Sequence, residues 1–184
     1  MRFAYLLLCS LLVLSGCAGG GNTDTGARDT TLSMGAAIDD NDLENRIRED
    51  LLAANQRFST ADINVVSYNA RILLVGRVPD QRMVEAATEV VREFRRVRLL
   101  HNELRVSAPA STNIRATDQW ISVRVKGRFV LEPGFPSRQV RITTNEGIVY
   151  LMGLVSQEVG QEAERLAAGV DGVQRVVSIF DYTD

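Results

Sequence analysis

What most constrains this chain is that one stretch of it is written twice. Residues Ile63-Asn64-Val65-Val66-Ser67-Tyr68-Asn69-Ala70-Arg71-Ile72-Leu73-Leu74-Val75-Gly76-Arg77-Val78 align without a gap on Val140-Arg141-Ile142-Thr143-Thr144-Asn145-Glu146-Gly147-Ile148-Val149-Tyr150-Leu151-Met152-Gly153-Leu154-Val155. Ile63 falls on Val140, Val65 on Ile142, Ile72 on Val149, Leu74 on Leu151, Gly76 on Gly153 and Val78 on Val155. Each stretch alternates in polarity, breaks at a short turn and resumes, the pattern of a β-hairpin. The turns fall at Tyr68-Asn69-Ala70 and Asn145-Glu146-Gly147, and the second suits a three-residue loop with its glycine left-handed. A repeat of this length predicts two copies of one supersecondary unit.

The residues around each hairpin extend the unit. Pro79-Asp80 and Ser156 are helix-opening residues, and Met83, Val84, Ala87, Val90, Val91 and Phe94 then recur at helical spacing, as do Val159, Ala163, Leu166, Ala167 and Val170. A last strand follows, in which Val97, Leu100, Leu104 and Val106 match Val173, Val176, Phe180 and Tyr182 after a single-residue shift. Ahead of the first hairpin, Asp40 to Gln56 is an amphipathic helix with Leu43, Ile47, Leu51 and Leu52 on one face. Its counterpart, Asp118 to Val130, carries Ile121, Val125, Phe129 and Val130. There the alternating, β-branched Ile121, Val123 and Val125 favour a strand. The repeat favours a helix, and tertiary context overrides local propensity.

The expected architecture is α+β. Two units, 39–108 and 118–184, each run helix-strand-strand-helix-strand, with the helices on one face of a three-stranded mixed sheet and a polar linker at 109–117. In the second hairpin Val149, Leu151 and Val155 point one way, while Ile148, Tyr150, Met152 and Leu154 point the other. A strand apolar on both faces is normally covered on both. Helices cover one face only, so the other is expected to pack on the first unit through Leu73 and Val75.

The N-terminus sets the context. Arg2 precedes an apolar run from Phe3 to Leu14, too short at roughly a dozen residues to span a membrane but of the length of a signal peptide. It ends in Leu14-Ser15-Gly16-Cys17, which resembles the lipobox of bacterial lipoproteins. That resemblance implies a signal at 1–16, acyl groups on Cys17 and a tether over 17–38. Ala18 stands where lipoproteins retained in the inner membrane often carry Asp, so the outer membrane, periplasmic face, is expected. The Gly-, Thr- and Asp-rich tether has an r.m.s. reach of roughly 25 Å. Cys9 would leave with the signal, so Cys17 remains alone and no internal disulfide can form. A net charge of -2 argues against nucleic-acid binding through bulk charge.

The duplicated order, the glycine late in each second strand, Gly153-Leu154-Val155, the Asp171-Gly172-Val173 turn and the Trp120 segment together resemble the BON domain. The pair behind a lipobox resembles the dual-BON outer-membrane lipoproteins. Copy one departs where Arg95-Arg96 replace the Asp-Gly turn, so its last loop is expected to differ. The resemblance implies a non-enzymatic envelope protein whose second unit binds an anionic phospholipid surface, phosphatidylglycerol for example, and which supports envelope integrity. Trp120, Arg124, Lys126 and Arg128 would then form part of the contact, tryptophan favouring membrane interfaces and each nearby cation adding about 1 kcal/mol. The residues alone equally allow Trp120 as core with its cations solvated. Glu158, Glu162 and Glu164 oppose a lipid role for the other helix of that unit. The alternative is a module docking on an envelope assembly or secretion complex, for which Arg92, Arg95, Arg96 and Arg98 would suit an acidic partner.

No phosphate loop, nucleophile elbow or paired-carboxylate motif is present, and Gly19-Gly20-Gly21 lies in the tether. The single histidine, His101, has no Cys or clustered carboxylate beside it and reads as a strand residue at a surface or domain contact. No cofactor, metal or small-molecule substrate is expected.

Overall fold

A computed structural model describes residues 34–184, and Cys17, the expected signal and most of the expected tether lie outside them. The elements are α1 (Met34–Ala54), a 3₁₀ turn (Gln56–Ser59), β1 (Asp62–Tyr68), β2 (Arg71–Val78), α2 (Gln81–Arg92), β3 (Leu99–Val106), α3 (Thr112–Leu131), β4 (Val140–Asn145), β5 (Ile148–Val155), α4 (Gln157–Ala168) and β6 (Arg175–Tyr182). They form two sheets, β1-β2-β3 and β4-β5-β6. In each, the first pair is antiparallel and the second parallel. This is the duplicated α+β unit that the repeat implies.

The register repeats as well. Ile63 pairs with Gly76, and Val140 with Gly153. A Cβ at Gly76 would lie 1.8 Å from the Asp62 carbonyl oxygen, and one at Gly153 would lie 2.5 Å from that of Gln139. The late glycine is therefore where the neighbouring strand's backbone comes too close for any side chain.

The second hairpin turn is not the three-residue loop expected, and the first has the same form. Tyr68 pairs with Arg71 and Asn145 with Ile148, leaving two-residue turns at Asn69-Ala70 and Glu146-Gly147. All four turn residues are left-handed, with φ of 51°, 58°, 53° and 72° in order, the pattern of a type I′ turn. A buried carboxylate sustains this conformation. Asp40 of α1 accepts from the Asn69 and Ala70 amides at 2.7 and 2.9 Å and from the Ser67 hydroxyl at 2.6 Å. Asp118 of α3 accepts from the Glu146 and Gly147 amides, both at 2.8 Å. Successive left-handed amides make a concave anion site, and each unit fills it with its own aspartate.

Helix ends follow their caps. The Asp80 carboxylate accepts from the Met83 amide, and the Ser156 hydroxyl from that of Val159. Two expected boundaries change. The Ser111 hydroxyl accepts from the Ile114 amide, so α3 begins at Thr112 and takes up most of the expected linker. Helix α1 already includes residues 34–38 of the expected tether. The lack of an apolar stripe there means that the turn has little to pack on, not that it avoids the helix. The helix, not the strand, holds at 118–130, because Asp118, Ile121, Val125 and Phe129 are all buried on one side.

The last loop of copy one closes without the left-handed glycine. Gly172 has φ 92°, whereas Arg96 at the matching position is not left-handed. Yet the bonds correspond. The Val97 amide donates to the Phe94 carbonyl and that of Arg98 to Ala70, as Val173 does to Val170 and Gln174 to Gly147. The loops differ in dihedral angles and agree in what they tie together.

Each unit has its own core between helices and sheet: Ile47, Ile72, Leu74 and Ala87 in the first, Val125, Val149, Leu151 and Leu166 in the second. A third core joins the opposite sheet faces, with Val66, Tyr68, Leu73 and Val75 against Ile148, Tyr150, Met152 and Ile179. The two-sided strands thus cover one another, as their polarity requires. Each of these buried side chains contributes about 1.5–3 kcal/mol. The exposed ion pairs contribute about 0–1 kcal/mol each, so apolar contact holds the pair together.

Gly76→Ala should lower unfolding free energy by about 3 kcal/mol in urea titration, since the Cβ both collides and forces a residue with φ 126°. The Tyr150 hydroxyl is buried without a partner, so Tyr150→Phe should be neutral or stabilising. Tyr150→Asp should cost about 3–5 kcal/mol by leaving a carboxylate in the contact. Equal stabilities for these two variants would contradict the shared core.

Candidate functional site

Helix α3 is apolar on two sides. Its inner side buries Ile121, Val125 and Phe129. Its outer side presents Trp120, Val123, Val130 and Leu131 at 53%, 59%, 62% and 83% exposure. A helix facing only water carries charge there, and a run of exposed large apolar residues marks an interaction surface. Val123, which gave the segment its strand-like look, points outward. Gly127 lies in the same stripe with open space around it.

The cations predicted beside Trp120 divide into two groups. The Arg124 guanidinium lies 4.5 Å from the centroid of the Trp120 ring and donates to Asp171 at 3.1 Å. Arg128 is exposed and lies alongside Gly169 at the end of α4. Lys126 instead faces the first unit. Its ammonium donates to the Ser137 carbonyl, and burial pushes its pKa down. Trp120, Arg124 and Arg128 therefore share one exposed face, and Lys126 lines a groove at its side. Trp120 is not a core residue.

The neighbouring α4 presents a different surface. It buries Gly160, Ala163, Leu166 and Ala167, and its outer side carries Glu158, Glu162 and Glu164, with Glu162 paired to Arg165. It has none of the exposed large apolar residues that α3 carries.

Around the shared core lies a frame of ion pairs. Glu146 meets Arg77 at 2.5 Å and Arg105 at 3.5 Å. Asp181 meets Arg71 at 3.3 Å, Arg98 at 2.9 Å and the Asn69 amide side chain at 3.2 Å. Glu44 bridges Arg48 and Arg141 at 3.2 and 2.9 Å. The arginine run 92–98 is largely taken up as well, Arg92 by Glu89, Arg96 by Asp39 and Arg98 by Asp181.

His101 pairs with Leu73 across β2 and β3, which puts it on the face that meets the second unit. Its Nε2 is buried without a partner. Burial, and then the Arg71 charge, lower its pKa. A histidine held neutral without a hydrogen-bond partner belongs to the contact between units. Among the described residues, no group of three or more His, Cys, Asp or Glu side chains could hold a metal ion.

The BON domain model matches residues 39–108 and 117–183, one helix-strand-strand-helix-strand unit in each span. The chain belongs to the BON-domain family, as a tandem pair. It is similar to the outer membrane lipoprotein DolP of Haemophilus influenzae, with 30% identity over 183 residues, covering 97% of this chain and 95% of that protein. It is also 29% identical over 150 residues to the 21 kDa hemolysin of Actinobacillus pleuropneumoniae, covering 82% and 77%. Against the osmotically-inducible protein Y of Escherichia coli it is 25% identical over 189 residues, covering 96% and 94%.

Asp40 and Asp118 stand at the starts of their helices in the sequence pattern, which does not show that they bind the hairpin turns. The available signal was an aspartate at the same place in each repeat, ahead of a turn with no second glycine.

His101 should make stability depend on pH. Because its folded pKa lies below 6.5, its contribution is present above 6.5 and is lost as pH falls through the lowered folded value. The thermal midpoint should drop between pH 7.5 and 5.5, and His101→Gln should flatten that part of the profile.

Proposed function

We propose that this chain is a non-enzymatic lipoprotein of the outer membrane, anchored through Cys17 on the periplasmic side. In this reading its second BON domain lays the outer face of α3 on anionic phospholipid and thereby supports envelope integrity. The observation that carries it is the exposed stripe Trp120, Val123, Val130 and Leu131, with Arg124 and Arg128 alongside. Such a helix lies in the headgroup region with its apolar side chains down and its cations among the phosphates. Each cation near the surface adds about 1 kcal/mol. Among the described residues no helix is long and apolar enough to cross a membrane, which suits surface contact.

The direction of chain entry supports the same orientation. Ala37, near the start of α1, lines one groove with Val123 and Lys126, so the segment leading back to Cys17 joins the protein on the α3 side. The name of the Haemophilus relative agrees with the compartment. Docking on an envelope complex through the 92–98 arginines is less well supported, because Arg92, Arg96 and Arg98 already hold carboxylates of the chain itself.

The test is co-sedimentation of the chain from Ala18 onward, which lacks the thiol, with vesicles of phosphatidylcholine with and without phosphatidylglycerol. Binding should require the anionic lipid, and Val123→Asp with Leu131→Asp should weaken it about tenfold or more without lowering the melting temperature. Equal binding to neutral vesicles would remove the electrostatic part of the reading.

A further inference from the structure

The two units treat the open edges of their sheets differently. Each sheet has two edge strands, β1 and β3 in the first unit and β4 and β6 in the second. An edge strand presents a row of unpaired N–H and C=O groups, and proteins blunt it with charge, side-chain bonds or cover. Side chains bond the β1 edge: Arg48 donates to the Val65 carbonyl at 3.1 Å, and Glu44 accepts from the Ser67 amide at 2.8 Å. Arg141 of β4 donates to the Ser67 carbonyl, which ties β4 to the same edge. On β3 the Asn102 side chain accepts from the Leu104 amide at 3.1 Å, and His101, Glu103 and Arg105 interrupt the apolar residues.

Strand β6 has neither device. Its register repeats that of β3: Ser178 faces Leu151 as Asn102 faces Leu74, and Phe180 faces Gly153 as Leu104 faces Gly76. A shorter serine thus stands where Asn102 reaches an amide, and among the described residues it makes no side-chain hydrogen bond. The Thr183 amide donates to the Val155 carbonyl. The alternation of backbone groups along a strand then turns those of Val176, Ser178 and Phe180 outward, away from β5. The run Val176-Val177-Ser178-Ile179-Phe180 has no charge, proline or glycine, the composition of a segment that pairs with its own kind. Val176, Val177 and Ser178 are only half-buried, whereas β5 is buried from Ile148 to Gly153.

We propose that β6 is the interface with a second copy of this chain, the two strands pairing antiparallel about a two-fold axis at Ser178. Ser178 then faces its own counterpart, and Val176 faces the second copy's Phe180. All three residues turn their N–H and C=O groups to the partner, so the ladder closes without a gap. Charge selects this register. Arg175 is exposed and has no ion pair or hydrogen bond among the described residues, and it falls opposite the second copy's Asp181, twice by symmetry. Asp181 is 21% exposed beside Arg71 and Arg98, and a carboxylate has acceptor sites for a further donor. A slip of two residues either way would set Asp181 against Val177 or Arg175 against Ile179. This self-complementarity favours a second copy over the strand of another protein, and an isologous contact stops at two chains.

The experiment follows the weight-average mass of the chain from Ala18 onward by sedimentation, between about 1 μM and 1 mM, the span of weak association. The mass should rise to that of two chains and no further. Arg175→Glu sets like charges opposite one another. It should weaken the dimer about tenfold with an unchanged melting temperature. Arg138→Glu makes the same change of charge at an exposed position on the loop before β4 and should leave the dimer as it is. The amides of Val176, Ser178 and Phe180 should exchange with deuterium more slowly as the dimer forms. With Cys9 and Cys17 left out no cysteine remains, so Ser178→Cys should give a disulfide-linked dimer under mild oxidation, more slowly when Arg175→Glu is added.

A chain that stays single across the range overturns the second copy as occupant and leaves the edge to another protein's strand. A dimer that forms while the three amides exchange at their monomer rate, or that Arg175→Glu and Arg138→Glu weaken alike, overturns β6 as its interface. A mass that climbs past two chains overturns the two-fold pairing.

Discussion

The contact between the two sheets is the interaction on which the rest of this structure depends. Strands β2 and β5 are apolar on both faces, and the helices of each unit cover one face only. The remaining face can be covered by a partner or left against water, at a cost of about 1.5–3 kcal/mol for each large side chain. Here each unit covers the other, through Leu73 and Val75 on one side and Ile148, Tyr150 and Met152 on the other. The carboxylates Glu146 and Asp181 are partly exposed, and the buried Glu44 meets the half-exposed Arg48 and Arg141. Their role is orientation, since each carboxylate must find arginines at one relative placement of the sheets.

Within a unit, one buried carboxylate fixes how the first helix meets the hairpin. Asp40 and Asp118 bind amides of turns whose residues are left-handed, although Ala70 and Glu146 do not favour that conformation. Charge-assisted bonds to backbone amides offset the strain. The same contact sets the angle of the helix over the sheet. In the second unit it thereby decides which side of α3 turns inward and which is left to present Trp120, Val123, Val130 and Leu131. The candidate membrane face is thus positioned by a residue on the opposite side of the helix.

Much of this was legible in the residues. The repeat revealed the duplicated fold and the helical state of 118–130 against local propensity. The two-sided polarity of Ile148 to Val155 revealed the joined sheets. The turn type was not legible, because a two-residue turn at Asn69-Ala70 needs an anion that lies far away in sequence. The split of the cations was not legible either. Arg124, Lys126 and Arg128 look like one basic segment, but helical geometry turns Lys126 away from the other two and towards the first unit. Trp120 could not be placed by composition, since an aromatic at helical spacing suits a core as well as a surface. It took the exposure of its whole stripe to decide.

The place where α1 begins, next to Val123 and Lys126, bears on how tightly the outer face of α3 has to grip. If Cys17 is acylated as proposed, the second attachment becomes intramolecular, and its strength is governed by local concentration rather than by the protein's abundance. Under that proposal a surface that would hardly adhere on its own would suffice, letting go and landing again while the anchor keeps the molecule at its bilayer.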